Sequence, residues 1–202
     1  MQVVAVEEPV SKLLGVRNER QQRERYQDPG YHIAGLLRDL QVRSGIDLAK
    51  GFTDDPTLRF ELGFVFEDVM EQYFRERVLM AYGDQVTRPG VLRIGDIVGS
   101  PDGVEHDAWR VVETKLTWAK NRQGATWVEG RWSWLHQMRS YAHMIGTDRA
   151  VLHVCHVTGN GQVPRPEVLS WELTFTPEEL QDTWEMLLKH TERLQAEGKD
   201  RI

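Results

Sequence analysis

The chain has 202 residues and a formal net charge of -6, which suits one domain with its own core, and no apolar run approaches the roughly 20 residues needed to cross a bilayer. The N-terminus lacks a basic start followed by an apolar segment, so we expect no secretion signal and a cytoplasmic protein without membrane contact. A lone cysteine, Cys155, excludes an internal disulfide and a cysteine-ligated zinc or iron–sulfur site.

The negative net charge argues against a nucleic acid partner, because phosphate contacts come from lysine and arginine. The basic residues are nevertheless unevenly distributed, and bound metal cations would neutralise acidic ligands. The charge therefore lowers the expectation of DNA binding without excluding it. One basic group lies near the N-terminus and a second near the middle of the chain, at Arg17, Arg20, Arg23, Arg25, Arg38 and Arg43, and at Lys115, Lys120, Arg122 and Arg131.

The first part of the chain is predicted to be helical. Residues 1–30 are polar and charged, and we expect an N-terminal arm or extension there, followed by a single domain over residues 31–202. Apolar residues at helical spacing predict a short helix over 31–43. A longer helix is predicted from Asp55-Pro56, where aspartate caps and proline starts a helix, to about Met80.

The hydrophobic period then changes to that of short strands. We predict strands at Val91–Ile94, Ile97–Ser100 and Trp109–Trp118. The turn-forming stretch between the last two, residues 99–108, is interpreted as a loop or hairpin tip with the sequence GSPDGVEHDA.

The last third of the chain returns to helical spacing over about Arg131–Ile145, and two more strands follow at Ala150–Val157 and Val168–Phe175. Thr176 with Glu179 forms a capping box, which predicts a final helix over about 177–196. The order of elements predicts an α/β fold around one central sheet, mostly antiparallel at first.

Polar residues interrupt one apolar strand of this sheet. Because side chains alternate faces along a strand, Glu113 and Lys115 share the face of Val111. Asp102 is expected at the end of the neighbouring strand, before Gly103, where a backbone can bend close to an ion. Carboxylates and an ammonium group gathered on such a strand indicate a chemical role.

Phosphodiester hydrolysis would explain this grouping. Mg²⁺ takes oxygen ligands and prefers one or two carboxylates with waters and substrate phosphate. Asp102 and Glu113 could hold such an ion, with the Thr114 carbonyl as a third protein oxygen. The ion would polarise the phosphate and acidify a bound water, and Lys115 would orient or deprotonate that water.

Pro101-Asp102 and Glu113-Thr114-Lys115 match the signature of the PD-(D/E)XK nuclease superfamily. The chain resembles its RecB-like and lambda-exonuclease-like branch. This resemblance implies a restriction-endonuclease-like core, with a central mixed β-sheet flanked by helices. It also implies an Mg²⁺- or Mn²⁺-dependent deoxyribonuclease, expected to be an exonuclease acting on DNA ends in recombination, repair or phage replication.

Two flanking motifs extend the resemblance. Gly63 and Glu67 give the Gly-x-x-x-Glu of the long helix, in which the glutamate is a further metal ligand in the resembling branch. Gln137 and Tyr141 give Gln-x-x-x-Tyr in the later helix, where residues four apart lie on one face and support the site. The lone cysteine excludes the iron–sulfur cluster found in CRISPR-adaptation nucleases of this branch.

The substrate-binding residues follow from the same resemblance and from position. Arg38 and Arg43 in the first helix are candidates for contact with DNA phosphate. Lys120 and Arg122 lie in a stretch that we interpret as a loop beside the site. Ring-shaped oligomers occur in the resembling branch, so a homo-oligomer stays an open alternative, as does a recombination or repair protein partner.

Each of these residues also has an ordinary structural interpretation. Asp102 before glycine is a turn signal, and Glu113 with Lys115 could form the charged face of an edge strand. Glu67 could belong to a solvated helix face, and Gln137 to a surface pair. The alternatives at the level of function are a non-catalytic DNA-binding or interaction module with the same fold, and a nuclease acting on RNA.

Overall fold

The computed structural model describes residues 29–46, 62–63, 65–66, 69, 86–118, 128–157 and 167–199. It contains three helices with resolved bounds, α1 (Ile33–Arg43), α2 (Trp132–Ile145) and α3 (Pro177–Ala196), and the sequence predicts all three. No helix in these ranges is both long and apolar enough to pass through a bilayer.

Residues 62, 63, 65, 66 and 69 are helical, in agreement with the longer helix predicted before the strands. Both predicted ends of that helix lie outside the described residues. Its apolar residues Leu62, Val65 and Val69 are exposed.

The strands form a five-stranded and a three-stranded sheet. In chain order they are β1 (Tyr31–His32), β2 (Val86–Thr87), β3 (Leu92–Ile94), β4 (Ile97–Gly99), β5 (Gly103–Glu105), β6 (Arg110–Thr117), β7 (Arg149–His156) and β8 (Glu167–Thr174). The larger sheet has the order β2-β5-β6-β7-β8, and the smaller has the order β1-β4-β3. In the larger sheet β6 and β7 are parallel and the other pairs antiparallel, so this central sheet is mixed.

Two expectations about the strands are wrong. The strands do not all join one sheet, and residues 103–105 form strand β5 instead of a hairpin tip. A Cβ added at Gly103 would lie 2.9 Å from Val86 Cγ1 and 3.4 Å from Val112 Cβ, so this glycine permits close packing of strands. Asp102 therefore precedes the strand that neighbours β6, and does not end it.

The helices and the five-stranded sheet share one hydrophobic core. Strand β8 alternates between partly buried and exposed residues, as expected for a strand with one covered face. Strand β6 is buried over Val111–Thr114. Side chains from both layers meet in this core, among them Ile33, Leu36, Leu37, Val111, Met138, Ala142, Leu152, Val154, Leu187 and Leu194.

The last helix begins where its capping box predicts. The Glu179 amide donates to Thr176 Oγ1 at 3.2 Å, and the Thr176 amide donates to Glu179 Oε2 at 2.9 Å. Two amides that the helix leaves without intrahelical acceptors are satisfied in this way, which fixes the start of α3 at Pro177.

Candidate active site

Strand β6 places one carboxylate at the border of the core. Val111 lies in the core beneath the helices, and Glu113, two residues on, is only 2% exposed. The side chain of Lys115 is 21% exposed, and its Nζ donates a hydrogen bond to Glu113 Oε1. A buried carboxylate is costly unless it is paired, so the ammonium group of Lys115 stabilises Glu113 while remaining accessible from outside.

The register of the sheet brings a second carboxylate beside the first. Gly103 pairs with Val112, which places Asp102 opposite Glu113. The amide and the hydroxyl of Thr114 donate to Asp102 Oδ2 at 2.8 Å and 2.7 Å. These two bonds hold Asp102 against strand β6, next to the Glu113–Lys115 pair.

Helix α2 contributes the pair four residues apart. Gln137 Nε2 donates to the Tyr141 hydroxyl at 2.9 Å, and Tyr141 is 3% exposed. Burial, followed by the negative charge of Glu113 and then of Asp102, raises the pKa of Tyr141 well above its ordinary value. The tyrosine hydroxyl therefore stays protonated at neutral pH and lies within the electrostatic reach of both carboxylates.

The other predicted site residues lie either on α1 or outside the described residues. Glu67, Lys120 and Arg122 lie outside the described residues. Arg38 is exposed on α1, whereas Arg43 forms two hydrogen bonds with Glu197, at 2.9 Å and 2.6 Å, and an ion pair with Asp39. DNA contact by these four basic residues stays a prediction.

Two features of the site are not apparent from the sequence patterns. A Cβ added at Gly99 would lie 2.7 Å from Tyr141 Cε1, so this small residue lets the tyrosine pack against strand β4. The Thr114 hydroxyl binds Asp102, although strand alternation assigns that side chain to the face opposite Glu113. The sequence signals this bond only through the presence of a hydroxyl-bearing residue, Thr114, between Glu113 and Lys115.

The donor set suits a small divalent cation. Two neighbouring carboxylates are hard oxygen ligands, which Mg²⁺ and Mn²⁺ prefer. Within the described ranges no three histidine, cysteine, aspartate or glutamate side chains are grouped to hold a metal ion. Asp102 and Glu113 are two of the three predicted carboxylate ligands, and the third, Glu67, lies outside the described residues.

The fold is similar to solved structures. The crystal structure of SSO0001 is 15% identical and has a TM-score of 0.54, over 94% of this chain and 88% of that one. An alkaline exonuclease (LHK-Exo) from Laribacter hongkongensis is 12% identical over 83% and 89% of the two chains, with a TM-score of 0.49. A phage-related exonuclease from Haemophilus somnus 129PT is 12% identical over 81% and 82%, with a TM-score of 0.48.

No family model and no curated protein matches the sequence. The similarity to SSO0001 extends over nearly the whole chain. Together with the sheet topology it confirms the predicted α/β fold, with a central mixed sheet flanked by helices. At this level of identity the likeness concerns the fold alone.

Proposed function

We propose that this chain is a metal-dependent deoxyribonuclease of the PD-(D/E)XK superfamily, in the RecB-like or lambda-exonuclease-like branch. The observation that carries the proposal is the Glu113–Lys115 pair on β6 together with Asp102, which is bound to Thr114, the residue between them. Neither a turn nor a charged edge strand requires a carboxylate that is 98% buried next to a second carboxylate and an ammonium group. Hydrolysis of a phosphodiester bond uses all three groups.

Asp102, Glu113 and the carbonyl of Thr114 would hold the ion, Mg²⁺ or Mn²⁺. When bound, such an ion polarises a phosphoryl oxygen and lowers the pKa of a coordinated water. Glu67 is the proposed further ligand, by its match to the motif of the long helix.

Lys115 would act on the water and on the phosphate. Its ammonium group is bound to Glu113 and partly exposed, so it can reach a substrate while the carboxylate holds it in place. From there it would orient the attacking water and offset the negative charge that builds up on the phosphorane-like transition state.

Gln137 and Tyr141 would support this arrangement from α2. The hydrogen bond between them and the burial of Tyr141 keep the tyrosine in one position, within the electrostatic reach of the carboxylates. A protonated hydroxyl there is a hydrogen-bond donor toward negatively charged groups. Arg38, Arg43, Lys120 and Arg122 are the proposed contacts to DNA phosphate.

The finer proposal is an exonuclease that acts on DNA ends in recombination, repair or phage replication. It rests on the match of Asp102, Glu113, Lys115, Gln137 and Tyr141 to motifs of this branch, in the expected chain order. A non-catalytic DNA-binding module would not need an acidic pair and an ammonium group brought together in this way.

The experiment is incubation of the full chain with end-labelled linear DNA, closed circular DNA and RNA of matched sequence, with Mg²⁺ or with EDTA. We expect Mg²⁺-dependent loss of linear DNA alone. Glu113→Gln should abolish this cleavage, and Glu192→Gln, a matched change at an exposed position on α3, should not. Tight DNA binding without cleavage would favour the binding module, and cleavage of RNA alone would reassign the substrate.

A further inference from the structure

Thr114 makes two hydrogen bonds to a single atom. Its backbone amide and its hydroxyl both donate to Oδ2 of Asp102, at 2.8 Å and 2.7 Å. The other carboxylate oxygen of Asp102, Oδ1, takes part in neither bond. Two donors on one oxygen fix both side-chain torsions of Asp102, so its two oxygens have different surroundings.

The same strand geometry determines where the Thr114 carbonyl points. In a β-strand the N–H and the C=O of one residue project toward the same edge. The Thr114 amide points to Asp102, whereas the Thr117 carbonyl, an odd number of residues away, accepts from Val157 on the opposite side of the strand. The Thr114 carbonyl therefore projects from the edge at which Asp102 lies.

The hydroxyl of Thr114 distinguishes it from valine, which has a similar shape and which a buried strand position also favours. Thr114 is 5% exposed and lies on the same strand as Val111 and Val112, where a buried position favours β-branched residues such as valine. A buried hydroxyl is stabilising only where it finds an acceptor. Here the acceptor is the carboxylate proposed to bind metal.

We propose that the Thr114 side chain is a positioning residue, which turns Oδ1 of Asp102 toward the divalent ion. This inference rests on the proposed function. Thr114 would then contribute in two ways. Its carbonyl would be a metal ligand, and its hydroxyl and amide would hold Asp102, a second ligand, in the orientation that binds the ion. Loss of a group that orients a metal ligand typically weakens metal binding about 10- to 100-fold. Because the amide bond to Asp102 survives any side-chain substitution, we expect the lower end of that range.

The test is Mn²⁺ binding to the full chain without DNA, measured from the electron paramagnetic resonance signal of the free ion. Thr114→Val should weaken Mn²⁺ binding about 10-fold, and Thr114→Ser, which keeps the hydroxyl, should bind as the parent does. Thr174→Val, the same change at an exposed position of β8, should have no effect. Melting temperatures in EDTA report separately on the fold.

The comparison of Thr114→Ser with Thr114→Ala isolates the hydroxyl if valine disturbs the packing, because both variants lack the methyl group. Equal Mn²⁺ affinity of these two variants, with binding abolished by Asp102→Asn, would overturn the positioning role and leave the proposed function intact. A parent chain that binds no Mn²⁺ would instead overturn the proposed function, and the positioning role with it.

Discussion

Gly99 lies directly against the ring of Tyr141: a Cβ added to the glycine would come within 2.7 Å of the tyrosine Cε1 and 3.1 Å of its Cδ1. An aromatic ring held by a hydrogen bond to Gln137 and buried to 97% cannot swing aside as a flexible side chain would. This contact therefore sets how closely helix α2 approaches the end of strand β4, and it fixes the position of a hydroxyl whose pKa both carboxylates raise.

Gly99→Ala should destabilise the fold by about 1–3 kcal/mol, the usual range for overpacking a core, and should reduce DNA cleavage by displacing Tyr141. Urea unfolding and cleavage of linear DNA measure the two effects. The added methyl would also meet Ile33 Cδ1 at 2.7 Å. Ile33→Val removes that atom and should rescue the variant only in part; complete rescue would show that the tyrosine contact is not the cause.

Lys115→Met should destabilise the metal-free chain by about 3 kcal/mol, because it leaves the buried Glu113 carboxylate without its ammonium partner. Adding Glu113→Gln to that variant should recover most of the loss, since the amide carries no charge. Chemical unfolding of the four members of this double-mutant cycle provides the measurement. Additive losses would mean that the two side chains stabilise the fold independently.

Tyr141→Phe keeps the ring against Gly99 and removes the hydroxyl that accepts from Gln137. We expect cleavage of linear DNA to fall about 10-fold, as for other groups that orient a site, with the change mainly in kcat. A Gln137→Leu variant tests the same bond from its other end and should show a similar fall. Unchanged kcat in both variants would restrict the pair to a packing role.

Arg38→Ala should weaken DNA binding and lower the slope of log K against log salt by about 0.9, the value for one lost phosphate contact. Arg43→Ala should lower it less, because Glu197 and Asp39 already engage that guanidinium group. Fluorescence anisotropy at several salt concentrations measures both slopes. A slope that Arg38→Ala leaves unchanged would remove this residue from the DNA interface.

The stability of the fold should depend on pH through His153. Burial, and then the positive charge of Arg110, lowers the pKa of His153 to about 4, against about 6.5 in an unfolded chain. The unfolded chain therefore takes up the proton first. The contribution of His153 to stability falls as the pH drops from about 6.5 to 4, and this residue causes no further loss below that range.

His153→Gln should remove this dependence while still allowing a hydrogen bond to Ser170, which His153 makes at 2.7 Å. Between pH 7 and 5 the parent should lose about 1 kcal/mol more than the variant, allowing for the partly exposed ring. Urea unfolding at the two pH values gives the difference. Equal losses in the two proteins would show that the pKa of His153 is the same in the folded and unfolded chains.

The sequence predicts the long elements well, because each buries a face over many residues and its hydrophobic period is visible. Of the strands with two or three residues, the sequence predicts β3 and β4 but not β1, β2 and β5, which are too short to show a period. Their pairing depends on distant partners, as when Tyr31 aligns with Ile97 or Val86 with Glu105. The separation of the strands into two sheets was unpredictable for the same reason.

The candidate site was likewise predictable from the sequence only in part. Strand alternation is enough to place Glu113 and Lys115 on one face, and helical spacing is enough to pair Gln137 with Tyr141. The bonds from Thr114 to Asp102 depend on the register of β5 against β6, which turn-forming residues obscure in the sequence. A side chain that reaches around a strand edge cannot be assigned from the period of that strand.

The most direct test of the metal site is the anomalous scattering of Mn²⁺ in crystals soaked with that ion. We predict a peak in contact with carboxylate oxygens of both Asp102 and Glu113, at about 2.0–2.3 Å, and its loss in crystals of Glu113→Gln. A parent crystal at saturating Mn²⁺ with no peak at these two side chains, or with the same peak retained in Glu113→Gln, would contradict the account.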